Sequence, residues 1–357
     1  MDSLYSFCSR IISRSLNMNR NPPTPPADND RRRDQRPGQT SRPTFGQLPL
    51  QPHHPKGSAW GLWGGFSDEL GTLNLLTPQV TLQAAQEIKS GLTIPLNLPL
   101  NSPLRPMNSA RRKSFHHINA KGHANDDEIF VNTQSSSHWD GLRHYPYQDG
   151  KRYYNGTTQA DITGPSANPR IGVQNMAQKG IAGRGVLLDW RSYALRKGIK
   201  YSPFEPHQIL LRELIEVAAE EAVQFHPGDI LLVRSGWTEE YNKLSEDEKD
   251  ALGLREERKF CGVEASEEAI RWHWDNQISA VAGDTVAYEA WPFPRQWGVS
   301  MHEVFLSGWG MPIGETWDLE ELSRVCSNEG RWTFFLTSQP LNLSAGIASP
   351  ANVMAIL

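Results

Sequence analysis

DILLVRSGW, residues 229–237, is the stretch that decides the fold class of this chain. Its apolar run is followed at once by polar and glycine residues, a pattern typical of a short strand that is buried on both faces. Two further segments share the pattern: GVLLDW (residues 185–190) and ISAVAGDTV (residues 278–286). Strands of this kind occur in sheets that carry helices on both sides.

Helical segments lie between these strands. PHQILLRELIEVAAEEAVQF (residues 206–225) has apolar residues at helical spacing, SEDEKDALGLREERK (residues 245–259) is a charged surface helix, and SEEAIRWHWDN (residues 266–276) begins with a capping serine. Further strands are predicted in LTIPLNLPL (residues 92–100), IFVNTQSSSHW (residues 129–139) and RWTFFLTSQPLN (residues 331–342). Strands and helices mix without strict alternation, so we predict an α/β fold with a mixed sheet.

The composition limits the classes of function. The 357 residues carry a net charge of −4, with 38% hydrophobic and 21% charged residues, as is ordinary for a globular protein. This balance does not favour nucleic acid as a partner, and no apolar run reaches the roughly 18 residues that indicate a membrane span. Cys8, Cys261 and Cys326 are too few and too scattered for a disulfide framework, which favours a reducing compartment such as the cytoplasm.

The amino-terminal residues 1–56 are predicted to be a disordered tail, and residues 57–357 a single domain. Proline and charge dominate residues 20–56, as in NPPTPPADND and RRRDQRPGQT, so little surface can be buried to offset the entropy of ordering. Residues 1–20 hold three arginines, five serines and one acid, which weakly resembles a mitochondrial presequence. A plain tail is the favoured interpretation.

QSSSHWDGLRHYPY, residues 134–147, carries the candidate chemistry. If it enters as a strand, Gln134, His138 and Asp140 point to one face, with about 6.6 Å between residues two apart. An imidazole and a carboxylate at that spacing can bind one cation between them. Gly141 allows a turn that returns His144 to the site as a base or a further ligand. The alternative is an ordinary histidine satisfied by hydrogen bonds beside aromatic side chains.

Two later segments add candidate groups. His302 and Glu315 bracket HEVFLSGWGMPIGE, and Asp284 follows a predicted strand at the kind of strand end where α/β proteins place functional groups. Each has a structural alternative, because Asp284 can cap a turn and Glu315 can lie on the surface. The predicted substrate pocket is lined by Trp139, Arg143, Tyr145, Asp284, Trp291 and Trp297. Its aromatic side chains favour an aromatic or polycyclic substrate, and Arg143 is a candidate for an anionic substrate group or for a structural ion pair.

Taken together, these segments resemble the cyclase family that includes bacterial kynurenine formamidases and isatin hydrolases. The family signature is H-x-G-T-H-x-D-x-P-x-H, and residues 134–144 keep its second histidine, its aspartate and its last histidine. HEVFLSGWGMPIGE resembles the later histidine and glutamate of the family. WGLWGGFSDELGTLNLLTP (residues 60–78), AVAGDTVAYEAWP (residues 280–292) and SPANVMAIL (residues 349–357) look like its fungal-type branch.

The resemblance implies a compact swivelling β/β/α domain, usually in a homo-oligomer, that binds one or two zinc or manganese ions. The metal ligands that it implies are His138, Asp140, His302 and Glu315, with Gln134 as an optional oxygen ligand. His144 would be the general base, because an imidazole gains and loses protons near neutral pH. Family members hydrolyse amide or lactam bonds of small molecules, and some relatives are named cyclases after roles in secondary metabolism.

The main departure from the signature is Gln134, which stands where the family has its first histidine. A neutral amide oxygen is a poorer ligand for a transition metal than imidazole, so we expect one ion rather than two. Three functions stay open. The first is a metal-dependent hydrolase of an amide, lactam or lactone. The second is a ring-forming cyclase or dehydratase that uses the same metal and base, and the third is a non-catalytic binder of small molecules with a degenerate metal site.

Overall fold

The computed structural model describes residues 42–294 and 297–357 of the chain. Within those ranges the strands are β1 (Thr93–Pro95), β2 (Phe115–Ala120), β3 (Asn125–Phe130), β4 (His138–Asp140), β5 (Ile181–Leu188), β6 (Gln208–Ile209), β7 (Ile230–Val233), β8 (Gly262–Val263), β9 (Ala280–Gly283), β10 (Ile313–Glu315), β11 (Thr333–Ser338), β12 (Ala348–Pro350) and β13 (Val353–Ile356). The α-helices are α1 (Pro78–Ala84), α2 (Gln159–Thr163), α3 (Val173–Lys179), α4 (Trp190–Lys197), α5 (Leu211–Glu220), α6 (Trp237–Lys243), α7 (Glu246–Gly253), α8 (Glu267–Asp275) and α9 (Glu320–Glu329). Short 3₁₀ helices span Phe45–Gln47, Gly71–Leu75, Ala85–Glu87 and Tyr154–Gly156, and a π-helix spans Glu303–Trp309.

A nine-stranded mixed sheet organises these elements, in the order β1-β13-β11-β5-β7-β9-β10-β4-β12. The central strands β5, β7, β9 and β10 pair in parallel, whereas β11 on one side and β4 on the other pair antiparallel with this central group. β2 pairs with β3, and β6 with β8, in two small separate sheets. The predicted α/β fold with a mixed sheet is confirmed.

The three apolar runs that predicted the fold form β5, β7 and β9. In β7, Leu231 and Val233 pack into one core cluster, while Ile230 and Leu232 pack into a second cluster on the other face of the sheet. All four side chains are at most 4% exposed. Because successive side chains of a strand point to opposite faces, a continuous apolar run requires a core on each side, and both cores are present.

The predicted strand over residues 129–139 is wrong in its extent. The chain leaves β3 at Phe130, turns, and enters β4 only at His138. The side chain of Asn132 accepts a hydrogen bond from the Gln134 amide at 3.0 Å, and the Asn132 carbonyl accepts one from the Ser135 amide at 2.9 Å. An asparagine that bonds the backbone two residues ahead favours a turn over a continuous strand.

The β2–β3 hairpin is exposed along its length. Phe115, Ile118, Ile129 and Phe130 are between 48% and 62% exposed. A two-stranded hairpin is only marginally stable alone in water, and four exposed apolar side chains add nothing to its stability. The homo-oligomer that the family resemblance implies stays a prediction.

Ordered structure begins ahead of residue 57, within the compact unit Pro43–Leu357. Phe45 is 4% exposed and packs in the first core cluster. The predictions for residues 1–41, a disordered tail and a weak mitochondrial presequence, lie outside the described residues. None of the helices in residues 42–294 and 297–357 has the length and apolar character needed to cross a membrane.

Glu221, at the end of α5, carries a carboxyl group that is largely buried but has too few hydrogen-bond partners to stabilise its charged form. One oxygen accepts a hydrogen bond from the Asp189 amide at 3.1 Å, while the other is buried and has no hydrogen-bond partner in the part of the chain that the structure describes. Burial outweighs that hydrogen bond and raises the pKa of Glu221 from 4.5 to about 9. Because the folded-state pKa lies above the unfolded value, the folded chain holds the extra proton between pH 4.5 and about 9. The carboxyl group therefore costs more stability as the pH rises through that window.

Replacing Glu221 with Gln is expected to raise the free energy of unfolding at pH 8 by roughly 1–3 kcal/mol, and by much less at pH 5. The amide keeps the shape of the side chain and has no charge to desolvate. Urea denaturation at the two pH values measures the effect. Glu220→Gln is the matched control, because Glu220 is 38% exposed and pairs with Arg196 on the surface, so its loss should change stability by under about 1 kcal/mol. An equal effect of Glu221→Gln at both pH values would contradict the assignment.

Candidate metal centre

Three ligand-type side chains meet on one face of the sheet through the register of two short strands. His138 and Asp140 lie two residues apart in β4 and therefore share a face. β10 pairs antiparallel with β4 so that Glu315 lies directly opposite His138. Side chains opposite each other across an antiparallel pair are close neighbours on the same face. The register of β4 with β10 thus joins two segments that are far apart in the sequence.

The resulting cluster has the composition and spacing of a metal site. His138 Nε2 lies 3.4 Å from Asp140 Oδ1 and 3.4 Å from Glu315 Oε2. One ligand atom from each residue lies within 4.8 Å of the others, and all three residues are buried. His138 Nδ1 donates to the Ser136 carbonyl at 2.7 Å, which orients the ring and leaves Nε2 as the ligand atom.

Two atoms of this cluster show that a cation fits. His138 Nε2 and Asp140 Oδ2 are both buried, and neither finds a hydrogen-bond partner among residues 42–294 and 297–357. Buried polar atoms are nearly always paired, because an unpaired one pays its full desolvation cost. A divalent ion would satisfy both atoms, and a donor set of imidazole nitrogen and carboxylate oxygen suits zinc or manganese.

His302 stands next to this cluster and is oriented by a buried glutamate. Its Nε2 lies 3.0 Å from Glu315 Oε1 and 3.9 Å from Asp140 Oδ2. Its Nδ1 lies 2.7 Å from Glu289 Oε1, and the backbone amides of Met301 and His302 donate to the same carboxylate at 2.8 and 3.0 Å. A carboxylate on the second ring nitrogen fixes the orientation and raises the basicity of a ligand histidine. The π-helix that begins at Glu303, a form often found at functional sites, starts directly after this histidine.

The turn predicted at Gly141 does return His144 to the site. The His144 amide donates to the Gly141 carbonyl at 3.0 Å, and His144 Nε2 lies 3.5 Å from Asp140 Oδ2. A side chain at Gly141 would meet the Ile347 carbonyl oxygen at 2.7 Å, so a close backbone approach explains the glycine here.

Gln134 reaches the cluster from the turn before β4. Its amide nitrogen lies 2.6 Å from Asp140 Oδ1 and 3.2 Å from the ring nitrogens of His144. An ionised carboxylate only accepts hydrogen bonds, so the side chain presents its NH₂ group to Asp140. In this structure the Gln134 side chain donates to Asp140, and its role as an optional oxygen ligand of an ion stays a prediction.

The protonation of the cluster follows from these contacts. Burial lowers the pKa of His138, but Asp140 and Glu315 outweigh it and raise the value to about 9. The pKa of His302 is also raised, because its bonds to Glu289 and Glu315 outweigh burial. In turn, the neighbouring histidines hold the pKa of Asp140 and of Glu315 below their usual values despite burial. The imidazoles thus take protons where a metal ion would otherwise balance the carboxylates.

His144 differs from the other two imidazoles. Burial lowers its pKa, and the positive charges of His302 and Arg111 act in the same direction, against the carboxylate of Asp140. The ring is therefore neutral near pH 7 and can accept a proton. Such a group beside a metal site is suited to act as a general base.

Three residues predicted to line the pocket lie elsewhere. Trp139 is 0% exposed in the second core cluster and stacks edge-on against Trp317, because it points to the opposite face of β4 from its two neighbours. Arg143 donates to the backbone carbonyls of residues 162, 168 and 170, so it has a structural role. Asp284 accepts hydrogen bonds from the Ser235 amide and hydroxyl and from the Gly236 amide, so it caps the turn after β7.

Of the other aromatic residues predicted to line the pocket, one borders the cluster, and the remaining two make other contacts. The Tyr145 ring lies 5.6 Å from that of His302 and 6.1 Å from that of His144, so it borders the cluster. Trp297 packs against Phe45 and lies under the Lys56 ammonium group. Trp291 packs on Phe293 and lies 5.7 Å below the guanidinium of Arg258.

Two functional candidates escaped the sequence analysis. Glu289 lies in AVAGDTVAYEAWP, where no neighbouring residue marks it as buried. Arg111 lies in a polar stretch that reads as exposed, yet its guanidinium donates to the Gln134 carbonyl at 2.7 Å. It is also close enough to Asp140 and Glu315 for both carboxylates to act on its pKa. No local sequence pattern predicts that Arg111 lies at the site, because only tertiary contacts bring it there.

The fold and the cluster define an α/β protein with a candidate metal centre, and comparison with known proteins identifies its family. Residues 62–290 match the family model described as "Putative cyclase". The chain belongs to this cyclase family. None of the curated proteins compared with the chain matches it significantly.

Solved structures agree with the family match. A structure described as a novel cyclase shares 30% sequence identity with a TM-score of 0.73, covering 84% of this chain and 99% of the other. Isatin hydrolase A from Ralstonia solanacearum shares 17% identity with a TM-score of 0.53, covering 78% of this chain and 97% of that one. An isatin hydrolase bound to the product analogue thioisatinate shares 14% identity with a TM-score of 0.52, covering 79% and 99%. At these identities the two isatin hydrolases establish likeness of fold.

Proposed function

We propose that this protein is a metal-dependent hydrolase that cleaves an amide, lactam or lactone bond of a small aromatic or polycyclic molecule. The observation that carries the proposal is the buried cluster of His138, Asp140 and Glu315, with two unpaired ligand atoms and a neutral imidazole 3.5 Å from one of them. The isatin hydrolases of similar fold support the class of reaction. The fungal-type branch of the family is part of the same proposal.

His138, Asp140 and Glu315 would hold one zinc or manganese ion, with His302 beside them. When bound, such an ion polarises a carbonyl group and lowers the pKa of a nearby water molecule. The unpaired atoms, His138 Nε2 and Asp140 Oδ2, mark where these residues would hold it. Glu289 keeps the ring of His302 in place through its 2.7 Å contact with Nδ1.

His144 would move the proton. The oxygen of a water molecule adds to the carbonyl carbon, and His144 takes a proton from that water. The bond from carbon to the leaving nitrogen or oxygen then breaks, and the same imidazole returns the proton to the leaving atom. The products are a carboxylic acid and an amine or alcohol. The acid keeps the second proton of the water until it ionises to a carboxylate and releases that proton to solvent or to the product amine, so atoms and charge balance. Gln134 supports the base by donating toward its ring and to Asp140.

The direct test measures metal and hydrolysis on the same purified protein. Elemental analysis without chelators should find close to one equivalent of zinc or manganese per chain. An N-formyl arylamine, an aromatic lactam and an aromatic lactone are then assayed beside a linear polyketide-like intermediate. We expect hydrolysis of at least one of the first three, which should be lost on chelation and regained with added zinc or manganese.

The rival functions predict other results. A cyclase or dehydratase would use the same groups, and it would convert the polyketide-like intermediate while leaving the three hydrolase substrates intact. A binder with a degenerate site would contain no metal and turn over none of the four. Either result would overturn the proposal.

A further inference from the structure

Arg111 occupies an unusual position for a cation. It is half-buried, and its Nη1 donates to the Gln134 carbonyl at 2.7 Å. Its other guanidinium N–H groups make no further hydrogen bond within the described part of the chain. Among residues 42–294 and 297–357, no carboxylate lies within ion-pair distance of its guanidinium. A guanidinium that is removed from water usually forms a paired, bidentate contact with an anion.

The surroundings of Arg111 do not fully balance its positive charge. Burial lowers its pKa, and the positive charge of Arg258 lowers it further, against the attraction of Asp140 and Glu315. Those two carboxylates are already shared by His138 and His302. A divalent ion at the cluster would balance both carboxylates and leave the charge of Arg111 uncompensated. One further negative charge beside Arg111 would complete the balance.

The proposed reaction produces that charge. An amide, lactam or lactone is neutral at its carbonyl group, and hydrolysis converts each into a carboxylate at the same carbon atom. A divalent ion already balanced by Asp140 and Glu315 would leave the charge of a new carboxylate uncompensated, so a further cation beside the cluster would stabilise the product. Arg111 is a permanent cation within electrostatic reach of both of these carboxylates and of His144, and it contacts the Gln134 carbonyl beside them.

We propose that Arg111 binds the carboxylate released at the scissile carbon, and before that the carbonyl oxygen from which it develops. This inference rests on the proposed hydrolase function and names its product-binding residue. It assigns the substrate class as aromatic acyl compounds whose product is an aromatic carboxylate. Arg258 lies above the ring of Trp291 and is near enough to Arg111 to lower its pKa, so it adds positive potential that would draw such anions toward Arg111.

The test uses benzoate as a product-like probe and benzamide as its neutral counterpart. Both are titrated into the full-length, metal-analysed protein by calorimetry. Arg111→Gln should weaken benzoate binding by roughly 10- to 100-fold, as expected for a charge-assisted hydrogen-bonded pair, and weaken benzamide binding much less, because a hydrogen bond to a neutral carbonyl oxygen is weaker. Arg112→Gln is the matched control, because it removes the same charge from the next, exposed position and should change neither affinity.

A second variant separates loss of the charge from disturbance of the turn, because Arg111 also donates to the Gln134 backbone carbonyl. Arg111→Lys keeps the charge and a donor but loses the planar fork, so it should bind benzoate with intermediate affinity. Equal benzoate affinity in wild type and Arg111→Gln, or no benzoate binding to wild type, would overturn this inference. Arg111-dependent benzoate binding in a protein without metal or hydrolysis would instead overturn the proposed function, and Arg111 would then be a carboxylate-binding residue of a non-catalytic site.

Discussion

Replacing Asp140 with alanine should remove the bound metal ion and lower hydrolytic activity by roughly 100-fold or more. Loss of residues that only support a ligand already costs 10- to 100-fold in many metal sites, and Asp140 is itself a predicted ligand. Its carboxylate also faces three imidazoles, with His138, His144 and His302 between 3.4 and 3.9 Å away. The variant therefore loses a ligand and the negative charge that holds the cluster together.

Elemental analysis and kcat/KM on the same preparation measure both effects, and circular dichroism checks the fold. Asp127→Ala is the matched control, because Asp127 lies on the exposed hairpin, pairs with His116 at 2.8 Å and contributes no ligand atom to the cluster. The control should keep both metal and activity. If Asp140→Ala keeps both as well, the metal assignment is wrong.

Replacing His144 with glutamine should lower kcat by roughly 10²- to 10⁴-fold while the metal content stays unchanged. Glutamine preserves much of the volume and can donate to Asp140, but it cannot accept and return a proton. The reason to expect retained metal is geometric: the group of mutually close ligand atoms consists of His138, Asp140 and Glu315, without His144. The variant thus separates proton transfer from metal binding.

Two other outcomes for His144→Gln would assign His144 a different role. Full activity would show that another group moves the proton, and loss of metal would make His144 a ligand. His116→Gln provides the control, since His116 is exposed on the β2–β3 hairpin and should tolerate the same change. Single-turnover measurements would separate a slower chemical step from slower product release.

Much of the fold could be predicted from local pattern. β5, β7 and β9 were identifiable because strands buried on both faces require continuous apolar runs, and the capping Ser266 of α8 accepts a hydrogen bond from the Ala269 amide as expected. The extent of β4 could not be predicted in the same way. Whether three residues or eleven pair as a strand depends on which neighbours lie alongside, and here β10 and β12 pair with only residues 138–140.

The candidate site was predicted in part for a similar reason. His138 and Asp140 share a face by strand geometry alone, and Gly141 allowed the return of His144. The prediction that Trp139 lines the pocket is wrong, because successive side chains of a strand alternate between faces. Trp139 therefore points into the core, on the face of β4 away from His138. For Gln134, the amide could present either its oxygen or its nitrogen, and the acceptor-only carboxylate of Asp140 decides in favour of nitrogen.

Local order along the chain is enough to specify the α/β class, the spacing of His138 and Asp140, and the resemblance to the cyclase family. Three contacts depend instead on how distant segments pack: Glu315 lies opposite His138, Glu289 orients His302, and Arg111 comes within electrostatic reach of the carboxylates. Glu315 and His138, for example, lie far apart in the sequence and meet only through the register of β4 with β10. Register and packing between distant segments are set by the whole core, and no local pattern of residues specifies them.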